Sequence, residues 1–200
     1  MKTIRFSLLG ALLLAGLFLG AEDGAAPWFV EKFGEQLQTA SGRKVDAKQV
    51  LAGKTVGVYF SASWCGPCRA FTPKLVKFHK EVAKKSNFEI VFVSNDRNEQ
   101  AMFDYMKKDR MPWYVLPFDA EQKKALKEEL KVFGIPTLAV FGKDGKLVTT
   151  QGRGDVAYLG SKALARWKSE NYRPATPKNA QNAKKSNKKS SGKTSKKRSK

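Results

Sequence analysis

Thr55-Val56-Gly57-Val58-Tyr59-Phe60-Ser61-Ala62-Ser63-Trp64-Cys65-Gly66-Pro67-Cys68 is the stretch that decides the fold. Thr55 to Ser61 is a nearly continuous β-prone run, which predicts a strand covered on both faces. A short loop then leads to Cys65. Beyond it Phe71, Leu75, Phe78 and Val82 are spaced four, three and four apart, forming one face of a helix. A C-x-x-C pair between a strand and a helix is informative in a way that an isolated pair is not. The thiolate is the nucleophile, and a free thiol with a pKa of about 8.5 is mostly protonated at neutral pH. Unpaired N–H groups and the dipole at a helix start stabilise the anion. Cys65, before the first turn, is expected to be exposed and to attack. Cys68, one turn further in, is expected to be shielded and to resolve the mixed disulfide. Gly66 and Pro67 form the tight connection, and a proline in the first turn forfeits no hydrogen bond.

Three blander readings compete. The pair could be a static disulfide, but so short a loop constrains the unfolded chain little. It could bind zinc, but such a site asks for four ligands. The sole histidine, His79, lies on the following helix and is expected at the surface or its boundary. The pair could also be inert. With two cysteines only, no disulfide framework holds the chain together.

Outward from this stretch, Phe88 to Ser94 and Thr137 to Phe141 repeat the continuous pattern of a buried strand, with Phe88, Ile90, Val91, Phe92 and Val93 as core. Phe33 to Thr39 reads as an edge strand, closed by a turn at Ser41-Gly42. Lys143-Asp144-Gly145 is a hairpin signal, returning as an edge strand over Leu147 to Thr150. Ala101 to Lys108 and Glu121 to Leu130 are short helical candidates. Val156, Leu159, Ala163 and Trp167 make a C-terminal amphipathic stripe. The alternation implies an α/β fold, a central mixed β-sheet with helices on both faces.

The two ends differ from the middle. Lys2 and Arg5 precede the apolar run Phe6 to Leu19, followed by Gly20-Ala21 and then Glu22-Asp23. That is the pattern of a secretory signal peptide over 1–21. An uncleaved membrane anchor is the alternative, but the run is shorter than the roughly 20 residues a spanning helix needs. The net charge of +20 suggests nucleic acid until its location is seen. Eleven Lys and Arg, and no acid, lie from Arg173 onward, in a stretch without a large apolar residue. Residues 173–200 are therefore expected to be a disordered lysine-rich tail, leaving 22–172 as the folded domain. The hydrophobic share of 42 % is enough for a conventional core.

Trp64-Cys65-Gly66-Pro67-Cys68 resembles the active-site motif of thioredoxins. Pro73 stands where that family carries a helix-kinking proline. Gly134-Ile135-Pro136-Thr137 resembles its cis-proline loop, which implies a cis Ile135–Pro136 bond beside the disulfide and a backbone edge for extended substrate. A longer match, over about 33–167, is similar to the tryparedoxin and nucleoredoxin branch. It is carried by Tyr59 to Cys65, Phe71-Thr72-Pro73, Phe92-Val93-Ser94, Asp96-Arg97, Met111-Pro112-Trp113 and Leu116-Pro117-Phe118. Three departures stand out. Gly66-Pro67 replaces the two prolines usual in tryparedoxins, and Asn95 replaces a tryptophan. Tyr59 replaces the buried aspartate of typical thioredoxins, leaving Asp96 or water as candidates to take the resolving thiol's proton.

The resulting expectation is a thiol–disulfide oxidoreductase that reduces protein disulfides outside the cytoplasm, periplasmic or secreted. It cycles through Cys65 and Cys68 without metal or organic cofactor, as a monomer, and is recharged by a membrane or soluble reductant. Trp64, Gly66, Pro67, Ile135 and Pro136 are the expected substrate contacts, and Trp113 is expected to pack at the rim. Arg153 is left between a salt bridge and a substrate contact. Two rivals remain. One is the reverse chemistry, a disulfide donor or isomerase. The other is a polyanion-binding protein, holding anionic membrane or polymer through its tail, with the fold as carrier. A nuclear role for Lys196-Lys197-Arg198 conflicts with the leader.

Overall fold

The computed structural model describes residues 27–83 and 86–176. The leader at 1–21 and the lysine-rich stretch from 177 lie outside the described residues.

A seven-stranded mixed sheet forms the centre. Its strands are β1 (Gln36–Gln38), β2 (Lys44–Asp46), β3 (Thr55–Ser61), β4 (Phe88–Ser94), β5 (Tyr114–Val115), β6 (Thr137–Phe141) and β7 (Leu147–Thr149), in the order β2-β1-β5-β4-β3-β6-β7. β3 pairs in parallel with β4 along all seven residues, Thr55↔Phe88 to Ser61↔Ser94, and β4 pairs in parallel with β5. β6 runs antiparallel to β3, with Phe60 opposite Thr137. The chain therefore enters β6 at the sheet end where β3 leaves for the cysteine motif.

The continuous apolar strands split by alternation into two cores. Val56, Val58 and Phe60 face one side, with Val91, Val93, Ala139 and Phe141. Helices α1 (Trp28–Phe33), α2 (Ala47–Leu51) and α5 (Gln122–Glu129) cover that side with Phe29, Phe33, Leu51 and Leu126. Tyr59, Ile90, Phe92, Leu138 and Val140 face the other side. There α3 (Gly66–Val82) contributes Phe71, Leu75, Phe78 and Val82, the predicted face, and α4 (Glu99–Lys108) contributes Met102, Tyr105 and Met106. Gly57 keeps this packing close, since a Cβ there would sit 3.2 Å from both Leu138 and Phe88.

Several expectations are corrected. β1 is interior, lying between β2 and β5, and Phe33 belongs to α1. The short elements α1, α2, β2 and β5 give too few residues for a period to show. The C-terminal stripe is two helices, α6 (Gly152–Leu159) and α7 (Lys162–Trp167), parted at Gly160 with φ 55°; glycine adopts that left-handed backbone at little steric cost. His79 is buried rather than at the boundary. Its Nε2 lies 3.0 Å from Glu89 Oε1, and its ring meets Trp113. Lys54 approaches the same carboxylate at 3.5 Å.

The described chain also runs past Tyr172. Asp155, fully buried, accepts from Trp167 Nε1 and the Tyr172 hydroxyl at 2.7 Å each, and from the Ala175 amide at 2.6 Å. Residues 173–175 are thus clasped to α6, and Ala175 is buried. The buried Asp155 carboxylate and the Arg166 guanidinium, which donates to the Arg173 carbonyl, help to hold them where composition alone offers nothing to bury.

Candidate active site

Cys65 and Cys68 are joined as a disulfide at the start of α3. Cys65 is the residue capping the helix, and its Sγ accepts from the Cys68 amide at 3.2 Å. This is the arrangement that favours a thiolate once the bond is reduced. The two cysteines differ in burial in the expected order but by a small margin. Cys65 is 6 % exposed, rather than open, and Cys68 is 0 %. The reason lies in the loop over them: Ile135 packs on Ala62, Cys65 and Cys68, and its carbonyl oxygen is 3.8 Å from Cys65 Sγ. The Ile135–Pro136 bond is cis, and Thr137 Oγ1 donates to the Gly134 carbonyl at 2.7 Å, closing the loop. Gly66 and Pro67 occupy the first turn, as expected, and Pro73 lies inside α3 without ending it.

The loop before Cys65 is tied down by Asp96. Its Oδ1 accepts from the Ser63 amide and hydroxyl at 2.7 Å each, and its Oδ2 accepts from Ser94 Oγ at 2.8 Å. Both oxygens are engaged by donors, so Asp96 serves as an anchor of the 62–64 loop. Trp64 is 55 % exposed, with its indole N–H fixed on the Asn95 carbonyl at 3.0 Å. That bond orients the ring in the loop before Cys65. Lys123 is half-buried near this region and donates to the Phe118 carbonyl at 2.8 Å. Burial pushes its ammonium pKa down, and Asp96 and Asp119 pull it back up.

Beneath Cys68 lies a chain of hydroxyls that the sequence reading missed. Thr72 Oγ1 donates to the Cys68 carbonyl at 3.0 Å and meets the Tyr59 hydroxyl at 2.8 Å and the Tyr105 hydroxyl at 2.6 Å; Ser61 Oγ lies 3.2 Å from Tyr105. Thr72 and Tyr105 each sit at a position that periodicity marks only as buried, so their polar pairing had no signal. Burial raises the pKa of both Tyr59 and Tyr105, and the approach of Tyr105 raises Tyr59 further. Both stay neutral phenols at physiological pH and cannot act as anionic bases for Cys68.

Those shifts predict an alkaline limit to stability. An unfolded tyrosine ionises near pH 10, whereas Tyr59, Tyr105 and Tyr172 hold their protons to higher pH in the fold. The folded state therefore binds more protons above that pH, and stability falls as pH rises beyond about 10. Urea unfolding from pH 8 to 11.5 should show a midpoint flat below about 10 and declining above it. Tyr59→Phe should soften the decline, and an identical slope in that variant would reject the assignment.

The thioredoxin-like family matches residues 53–147. The chain is 49 % identical over 107 residues to tryparedoxin of Trypanosoma brucei brucei, a match over 52 % of this chain and 72 % of that protein. It is 45 % identical over 140 residues to probable nucleoredoxin 1 of Arabidopsis thaliana, covering 70 % of this chain but 22 % of that protein. The chain thus spans less than a third of the plant nucleoredoxin it matches. Among solved structures, native tryparedoxin I from Crithidia fasciculata superposes with a TM-score of 0.63 at 33 % identity, over 74 % of this chain and 99 % of that one.

Proposed function

The chain belongs to the thioredoxin-like family, and from that premise we propose that it is a thiol–disulfide oxidoreductase reducing protein disulfides outside the cytoplasm. The observation that carries this reading is Cys65 Sγ held between the Cys68 amide and the Ile135 carbonyl at the start of α3. In the reduced enzyme the Cys65 thiolate attacks one sulfur of a substrate disulfide. A mixed disulfide forms, and the first substrate sulfur leaves as a thiolate and takes up a proton. The Cys68 thiolate then attacks Cys65 Sγ, re-forming the internal disulfide and releasing the second substrate thiol. Two electrons pass from enzyme to substrate. With Tyr59 neutral, the departing thiolate, Asp96 or water takes the Cys68 proton. An external dithiol donor, membrane-bound or soluble, must then reduce the enzyme.

The direction is tested by the reduction potential against a dithiothreitol or glutathione couple. A value near about −270 mV supports a reductase, and one above about −180 mV indicates a disulfide donor or isomerase. Export rests on the leader pattern at 1–21. Fractionation with sequencing of the mature N-terminus tests it, and an intact cytoplasmic protein would reject it.

The charge after Arg173 supports a separate role in location, on anionic membranes or other polyanions. Because the Ala175 amide is held on Asp155, the proposed division keeps residues up to Thr176 with the folded domain. A chain ending at Thr176 should reduce insulin at close to the full-length rate while losing salt-sensitive binding to heparin, since exposed charges are screened over about 8 Å at 0.15 M salt. Loss of activity on a small neutral disulfide would assign the stretch to catalysis instead.

A further inference from the structure

We propose that Phe133, with Lys124, Lys127 and Lys131, forms a substrate-selecting surface beside Cys65 that favours disulfides in acidic polypeptide segments carrying an apolar side chain near the cysteine. This deepens, and rests on, the reading as a reductase of protein disulfides.

Phe133 is 95 % exposed, against 55 % for Trp64 and less for the other exposed large apolar residues. It lies two residues before Ile135, whose carbonyl oxygen is 3.8 Å from Cys65 Sγ. Two residues span about 7 Å at most, so the Phe133 backbone belongs to the same short loop that covers Cys65. Trp64 directly precedes Cys65, so an exposed aromatic adjoins, in sequence, each of the two segments that meet at the site.

Phe133 also borders a groove of about 540 Å³, lined by Lys124, Lys127, Glu128, Lys131 and Val132. Three cations face one carboxylate. Glu128 reaches Lys124 at 4.0 Å, and no described carboxylate pairs with Lys127 or Lys131. A helix C-terminus attracts lysines for its dipole, which accounts for Lys127 in the last turn of α5. It accounts less well for Lys131, past the helix end in the left-handed region at φ 49°, where glycine is favoured. Nor does it account for an exposed phenylalanine. An apolar ring rimmed by unpaired cations complements an apolar side chain flanked by carboxylates, and a small disulfide does not extend to it.

The test uses the full chain and three synthetic peptides sharing one intrachain disulfide ring, with leucine beside it and acidic, neutral or basic flanks. Hydroxyethyl disulfide is the small reference. Wild type should favour the acidic over the basic peptide by about tenfold in kcat/KM at low salt, a preference lost at high salt. Lys131→Gly removes a charge and eases the backbone, so misfolding does not confound it; it should cut the acidic-to-neutral ratio about threefold. Phe133→Ser should lower the peptide-to-hydroxyethyl-disulfide ratio about tenfold. Ratios unchanged in both variants would overturn the inference, and an acidic preference surviving both would belong to the lysines after 176. A dimer in sedimentation, lost in Phe133→Ser with substrate ratios unchanged, would assign the face to a second copy and overturn it too. Reduction of all peptides without preference rejects this surface alone. Reduction of none of them, nor of the reference, rejects the reductase reading and the surface together.

Discussion

Cys65→Ser is expected to abolish reduction of insulin and of small disulfides, a loss of at least about 10³-fold, because the remaining thiol, Cys68, is fully buried. Cys68→Ser is expected to behave differently. Attack by Cys65 survives, but the mixed disulfide has no internal thiol to resolve it and accumulates. The asymmetry follows from position. Cys65 caps α3 and meets the mouth, whereas Cys68 is fully buried behind it. Non-reducing gels of each variant incubated with oxidised substrate, with the linked cysteine mapped by mass spectrometry, check both outcomes. Adducts on Cys68 in the Cys65→Ser variant, and none on Cys65 in the other, would reverse the roles.

Asp155→Ala is the second large effect, and it falls on stability. The change leaves the Trp167 indole N–H, the Tyr172 hydroxyl and the Ala175 amide without their shared acceptor in a buried place. Leaving the indole and amide donors unsatisfied costs about 1–3 kcal/mol each, the Tyr172 hydroxyl keeping Thr149 Oγ1 at 2.9 Å, against a total of about 5–15 kcal/mol for a typical domain. Asp155→Asn keeps one acceptor oxygen and should lose less. Urea unfolding reads both. A loss under about 1 kcal/mol for the alanine variant would show that solvent reaches these donors and that the clasp is not closed.

Those two effects sit at opposite ends of what sequence can reveal. The strands β3, β4 and β6 were readable to the residue at their starts and ends, because each is a continuous apolar run and both faces of the sheet are covered. The long helix was readable from Phe71, Leu75, Phe78 and Val82, and the site from Cys65 and Cys68 at its start. Asp155 was not readable. Its partners lie 12, 17 and 20 residues away, and a carboxylate in a helical stripe ordinarily marks the wet face. The Tyr59–Thr72–Tyr105 chain was hidden for the same reason, as two polar contacts among positions that register only as core. The small exposure of Cys65 was set by Ile135, 70 residues downstream, and could not follow from the helix start alone. Phe133 was in view as an aromatic beside Gly134-Ile135-Pro136, but only its exposure separates it from a core residue.

That separation of 70 residues between Cys65 and the Ile135 carbonyl that covers it has a consequence in time. Ribosomes add about 5–20 residues each second. The cysteine pair is therefore made roughly 4–14 s before the loop that closes over it. β6, which must pair with β3 to bring that loop into place, follows later still. For that interval every nascent chain presents two bare thiols on an unfinished sheet, open to oxidants and to other cysteines. The finished protein guards its sulfurs with a late-arriving segment, so its redox fidelity depends on how the chain is handled during synthesis as well as on its final shape.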